Sequence, residues 1–137
     1  MTADELSRIR ASFARLKRDK TKFGELFYRR LFAIAPDAKP MFKADMDGQI
    51  HKLMDSLALI IGAADSGPTL VSILEKLALR HVAYGVRDKH YDKVGEALLW
   101  TLQQELGDEF TPPVRDAWAS LYIAAASAMK RAAALAE

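Results

Sequence analysis

The chain has 137 residues and three histidines, and one of them falls on an apolar helical stripe. His81 stands four residues after Leu77, seven after Leu74 and eleven after Leu70, which turns it toward the inside of its helix. An imidazole in an apolar interior needs a partner, and two are open. It is either a core histidine bonded to a backbone carbonyl or a metal ligand. His51 lies two residues from both Gln49 and Leu53, about 200° around a helix, so it points away from the apolar face into solvent. His90, beside Tyr91 at a helix start, is expected at the surface. A single inward histidine is too few for a metal site built from protein ligands alone. The chain has no cysteine, which removes thiolate ligands, thiol nucleophiles and disulfides.

The elements that would position His81 read at helical period almost throughout. Thr2 with Glu5 forms a capping-box start, followed by the stripe Leu6, Ile9, Phe13 and Leu16. A second helix is expected over about 21–35, with Phe23, Leu26, Phe27, Leu31 and Ile34 inward. Pro36 opens a short turn and Pro40 closes it before Phe42. A third helix spans roughly 47–64, with Ile50, Leu53, Leu57, Ile60 and Ile61 inside. Ser66-Gly67-Pro68 starts the helix that carries Leu70, Ile73, Leu74, Leu77 and His81, and Gly85 stops it. A fifth helix runs from about His90 to Leu106, and Thr111-Pro112-Pro113 opens a sixth that reaches the Ala-rich end. No stretch reads at strand period. The expected fold is all-α, with about six to eight helices in one domain covering 1–137.

Half the residues are hydrophobic and 28% are charged, as in an ordinary globular domain. Twenty basic and 18 acidic side chains leave a formal charge of +2, too little to favour nucleic acid or a membrane surface. Met1-Thr2-Ala3-Asp4-Glu5 has no basic and apolar export character, and no apolar run approaches a membrane span, so a cytoplasmic location is expected.

One inward histidine in a large apolar cavity suits heme, because the porphyrin supplies the other four ligands. The segment Arg80-His81-Val82-Ala83-Tyr84-Gly85-Val86, followed by His90-Tyr91-Asp92-Lys93-Val94-Gly95-Glu96-Ala97-Leu98-Leu99, resembles the proximal region of bacterial globins. Its pattern, K/R-H-x-x-x-G-V and then H/Q-Y-x-x-V-G-x-x-L-L, is typical of flavohemoglobin globin domains and their single-domain relatives. Upstream, Leu26-Phe27-Tyr28-Arg29-Arg30-Leu31-Phe32, Ala35-Pro36 and Pro40-Met41-Phe42 match the same family. The similarity covers essentially the whole chain and implies a globin fold enclosing one heme b.

The resemblance implies roles residue by residue. His81 is the proximal iron ligand, Tyr28 the distal tyrosine, Gln49 the distal glutamine, Phe42 the ring wedged on the porphyrin and Leu53 the distal apolar gate. Leu77, Val86, Tyr91, Val94 and Leu98 are expected as apolar walls. Lys52 and Arg80 are expected to reach the propionates, against the plainer reading of solvated charges. For Tyr28 the plainer reading is a core tyrosine, and for Gln49 a surface glutamine. Gly24, one turn before Tyr28, leaves room for a crossing helix.

In flavohemoglobins a tyrosine and a glutamate flank the proximal histidine and push electron density toward the iron. Tyr91 fits the tyrosine. Counted from the match at Trp118, the glutamate position falls near Ala133, so the acid is missing, and nothing follows Glu137 that would be a flavin or nicotinamide domain. The leading expectation is therefore a globin that binds O2, NO or CO for storage, delivery or scavenging. The alternatives are an NO dioxygenase served by a separate reductase and, third, a heme-based gas sensor.

Overall fold

The computed structural model describes residues 1–42 and 45–136. Six α-helices follow one another: α1 (Ala3–Leu16), α2 (Lys20–Ile34), α3 (Met46–Gly62), α4 (Gly67–Ala83), α5 (Asp88–Leu106) and α6 (Pro112–Ala136). Short 3-10 turns occupy Lys17–Asp19, Pro36–Met41 and Gly107–Glu109. Among the described residues there is no strand, and no helix is long and apolar enough to cross a membrane.

Local chemistry accounts for most boundaries. Thr2 and Glu5 exchange the two bonds of the capping box, at 3.1 and 3.0 Å. Asp19 accepts from the Lys22 N–H to start α2. Asp45 accepts from the Gly48 N–H at 2.8 Å, so α3 begins just ahead of the expected Asp47. Gly85, at φ +87°, reverses the chain after α4, and the Val86 N–H returns to the His81 carbonyl at 3.0 Å.

The helices form a layered bundle in which α4 packs chiefly on α6, α2 on α5 and α3, and α1 on α6. By contrast, α3 and α4 touch each other little. The buried core is correspondingly divided. One cluster holds Ile9, Phe13, Phe23, Phe27, Tyr28, Ile50, Met54, Leu98, Leu102 and Trp118. The other holds Leu74, Leu77, Ala78, Tyr91, Ala125, Ala126 and Met129. Ile60 and Tyr122, both only half-buried, pack against both clusters.

Gly24 meets the expectation of a close helix crossing. A Cβ at that position would lie 2.5 Å from Cγ2 and 2.6 Å from Cγ1 of Ile50 on α3. Ile50 is β-branched and stiff within its helix, so it yields little. Gly24→Ala is expected to destabilise by about 1–2 kcal/mol, the overpacking outweighing the gain in helix propensity. Urea unfolding checks this, and an unchanged or higher midpoint would show that the crossing relaxes freely.

Candidate functional site

His81 is in the last turns of α4, half-buried, with two tyrosine rings near its imidazole. The Tyr91 ring stacks on it at 6.2 Å between centroids and 21° between planes, and the exposed Tyr84 lies at 6.2 Å and 53°. Nδ1 is 2.7 Å from the Leu77 carbonyl oxygen. A carbonyl can only accept, so Nδ1 carries the proton and donates, which leaves the Nε2 lone pair as the metal-binding donor. Burial holds the imidazole pKa below its ordinary value. The Leu77 bond opposes that shift and the Arg80 charge adds to it, so the ring is neutral at pH 7.

Tyr91 does not hydrogen-bond to His81 among the described residues, as the flavohemoglobin pattern would have it; it stacks. Its backbone is held by Tyr122, a residue that no sequence motif singles out. The Tyr122 hydroxyl on α6 donates to the Tyr91 carbonyl, and its ring lies over Gly95, where a Cβ would stand 2.7 Å from Tyr122 Cε2. Gly95, one turn after Tyr91, was the available signal that an aromatic ring passes close. Lys130 sits 5.8 Å from the Tyr91 ring centroid and 3.5 Å from the Asp92 carboxylate.

Helices α2 and α3 bring Tyr28 and Gln49 together. Tyr28 is buried, and burial pushes its hydroxyl pKa far up, so it stays protonated and able to donate. It donates to the Gln49 main-chain carbonyl at 3.2 Å. Phe42 meets the Tyr28 ring edge-on at 5.2 Å and the Phe32 ring at 5.5 Å. Along α3, Gln49, Leu53, Leu57 and Ile60 are half-buried rather than buried, while Ile50, Met54 and Ile61 fill the core. Met54 was not in the expected inner face. Leu53, Leu57 and Ile60 pack against the first cluster without being fully covered, and Leu57 and Ile60 line a small apolar cavity with Leu98, Trp118 and Tyr122.

The expected walls straddle the division of the core. Phe42, Leu53, Val94 and Leu98 belong to the first cluster, and Leu77, Val86 and Tyr91 to the second. Lys52 and Arg80 are exposed. Among the described residues no group of three or more His, Asp or Glu side chains is placed to hold a bare ion. A metal here has to bring most of its own ligands, and a donor set of one neutral imidazole with a free Nε2 lone pair fits heme.

His51 is exposed, with a side-chain exposure of 66% beside Asp55, as expected. His90 corrects the expectation of a surface side chain: it is 5% exposed. Its ring folds back over the first turn of α5, where Nδ1 accepts from the Arg87 N–H and Nε2 faces Asp37, a residue distant in sequence. Trp118 is buried and donates from its indole N–H to Ser12 Oγ at 2.8 Å.

The fold is an all-helical bundle with a half-buried histidine on α4 and a tyrosine–glutamine pair joining α2 to α3. The globin family profile matches residues 25–129, and the chain belongs to the globin family. It is 33% identical to neuroglobin-1 of Oncorhynchus mykiss, over 96% of this chain and 91% of that protein. It is 32% identical to neuroglobin of Chaenocephalus aceratus, over 90% of this chain and 86% of the relative. The flavohemoprotein of Vibrio cholerae serotype O1 is 28% identical over 89% of this chain, which spans 32% of that longer protein. Family and relatives together support heme binding.

Proposed function

We propose that the chain binds one heme b through His81 and reversibly takes a diatomic gas, O2 first and also NO or CO, for storage, delivery or scavenging in the cytoplasm. When bound, the heme would be held by His81 and would supply an iron able to take a diatomic gas. The chain does the rest. Leu77 fixes the tautomer and direction of the imidazole, and Tyr91 and Tyr84 confine its ring. Phe42, Leu53, Leu77, Val86, Val94 and Leu98 exclude water. Lys52 and Arg80 stand at the solvent edge to meet the propionates. Gln49 and Tyr28 offer an amide and a hydroxyl to the polarised end of the gas.

The observation that carries this reading is the partner of His81. Its Nδ1–H donates to a neutral carbonyl, and among the described residues no carboxylate bonds to it. Without an acid there, the imidazole gains little imidazolate character, which favours reversible binding over O–O cleavage. Absorption spectra of the oxidised, reduced and CO-saturated protein test it, and a preparation with no Soret band after hemin addition would end the heme reading. A second reading, oxidation of NO with electrons from a separate reductase, draws on the similarity to the flavohemoprotein. Steady-state NO consumption with an added reductase separates the two.

The exposure of His51 carries a coordination prediction. The reduced, gas-free protein is expected to show no bis-histidine spectrum, because His51 is exposed and both ring nitrogens of His90 are engaged by Arg87 and Asp37. Low-spin bis-histidine bands that disappear in His51→Ala would overturn that placement of α3.

A further inference from the structure

We propose that His90 is a positioning residue: with Asp37 it forms a clasp, buried on the histidine side, that fixes the segment after His81 relative to the segment before Phe42. The inference rests on the heme reading above and extends it to residues outside the pocket. His90 and Thr101 are the buried polar side chains among the described residues. Thr101 turns its hydroxyl to the Ala97 carbonyl within its own helix, whereas His90 joins separate parts of the chain. The Arg87 N–H donates to Nδ1 at 2.9 Å, so the ring proton sits on Nε2, which donates to Asp37 Oδ2 at 3.1 Å. Both nitrogens are used in the neutral ring.

What the clasp joins gives it its reach. Arg87 ends the loop that leaves His81 through Gly85 and Val86. Asp37 lies in the first turn of the 3-10 segment Pro36–Met41, which delivers Phe42 to its contacts with Tyr28 and Phe32. One side chain thus ties the segment after the proximal ligand to the segment before the distal phenylalanine. Breaking the bond leaves a buried N–H without a partner and frees both segments to move apart. Lys89 also pairs with Asp37, at 3.1 Å, but its side chain is 66% exposed and ties nothing further.

The test is the rate of heme loss from the holoprotein to a heme-scavenging apoprotein in large excess. His90→Leu and Asp37→Ala are expected to release heme about tenfold faster or more, and the double variant no faster than the singles. His90→Gln is expected to stay near wild type, because a carboxamide oxygen can accept from Arg87 while its NH2 donates to Asp37. Lys89→Ala is also expected to stay near wild type. A contact that only stabilised the fold would lower the melting temperature of the apoprotein in the Leu and Ala variants and leave heme loss unmoved. Unchanged heme loss in both, or equal acceleration in all four single variants, overturns the clasp. Asp37 is exposed, so its variant reads the clasp without disturbing the core. If the wild-type protein itself takes up no hemin, the heme reading fails and the clasp with it, an outcome visible before any variant is made.

Discussion

His81→Ala is expected to lower heme affinity by more than about 100-fold, since even partners one step removed from a metal account for 10- to 100-fold. The substitution removes the imidazole while leaving the Leu77 carbonyl, the Tyr91 and Tyr84 rings and the packing of Leu74 and Ala78 in place. The half-buried position means that little of the core is lost with the ring, so the helical content of the apoprotein should barely change. The space left behind is imidazole-shaped, walled by aromatic faces and provided with a carbonyl acceptor. Added imidazole should therefore restore uptake and the wild-type absorption bands, whereas an apolar molecule of equal size should not. Wild-type spectra in His81→Ala without imidazole would mean that another residue ligates the iron.

The next largest effect is expected at the pair proposed to meet the gas, Tyr28 and Gln49. Tyr28→Phe and Gln49→Leu should each speed O2 release, with CO release changed much less, because O2 held by the heme would be the better hydrogen-bond acceptor of the two gases. One neutral hydrogen bond of about 1–1.5 kcal/mol corresponds to roughly five- to tenfold in rate. The two residues are not equivalent. The Tyr28 hydroxyl has one proton, and it is already given to the Gln49 carbonyl. To donate to a gas ligand it must give up that bond, so its net contribution falls below that of the Gln49 amide. The Gln49→Leu effect should therefore be the larger of the two. Because Tyr28 also steadies the backbone of Gln49, the double variant should depart from the sum of the singles. Stopped-flow displacement of O2 by CO measures all three variants. Unchanged O2 release in both singles would rule out donation by this pair.

The helices were legible because the signals that set them are local. The box at Thr2 and Glu5, the glycine at 85 and the apolar spacing from Leu70 to Leu77 act over a turn or two of chain. His81 stood out for the same reason, as a lone polar group on an apolar stripe. What escaped the sequence depends on partners far along the chain. Burial of His90 requires Asp37 to arrive from another segment, and the support of Tyr91 requires Tyr122 to come from α6. Nor does residue type reveal that the Tyr28 hydroxyl is already engaged by a main-chain oxygen on the next helix. The half-buried state of Leu53, Leu57 and Ile60 has a further cause. Their spacing is that of a core stripe, and only the tertiary packing shows that Leu57 and Ile60 line a small apolar cavity beside Trp118 and Tyr122 instead of being fully covered.

The division of the core, bridged by the half-buried Ile60 and Tyr122, ties the thermodynamics of the fold to prosthetic-group supply. A ligand that binds the native chain and not the unfolded one stabilises it by about 2.7 kcal/mol at one hundred times its dissociation constant. For a domain with a total stability of roughly 5–15 kcal/mol, that is a large fraction. The cluster built on α4 and the far part of α6 is the smaller, and without a group seated against it this subdomain should melt ahead of the rest. Substitutions at Leu77, Val86 or Val94 would then shift the melting temperature of the loaded protein through occupancy as much as through packing. Cells that starve the chain of its cofactor would present their proteases with a partly opened α4, so the amount of this protein would follow heme synthesis.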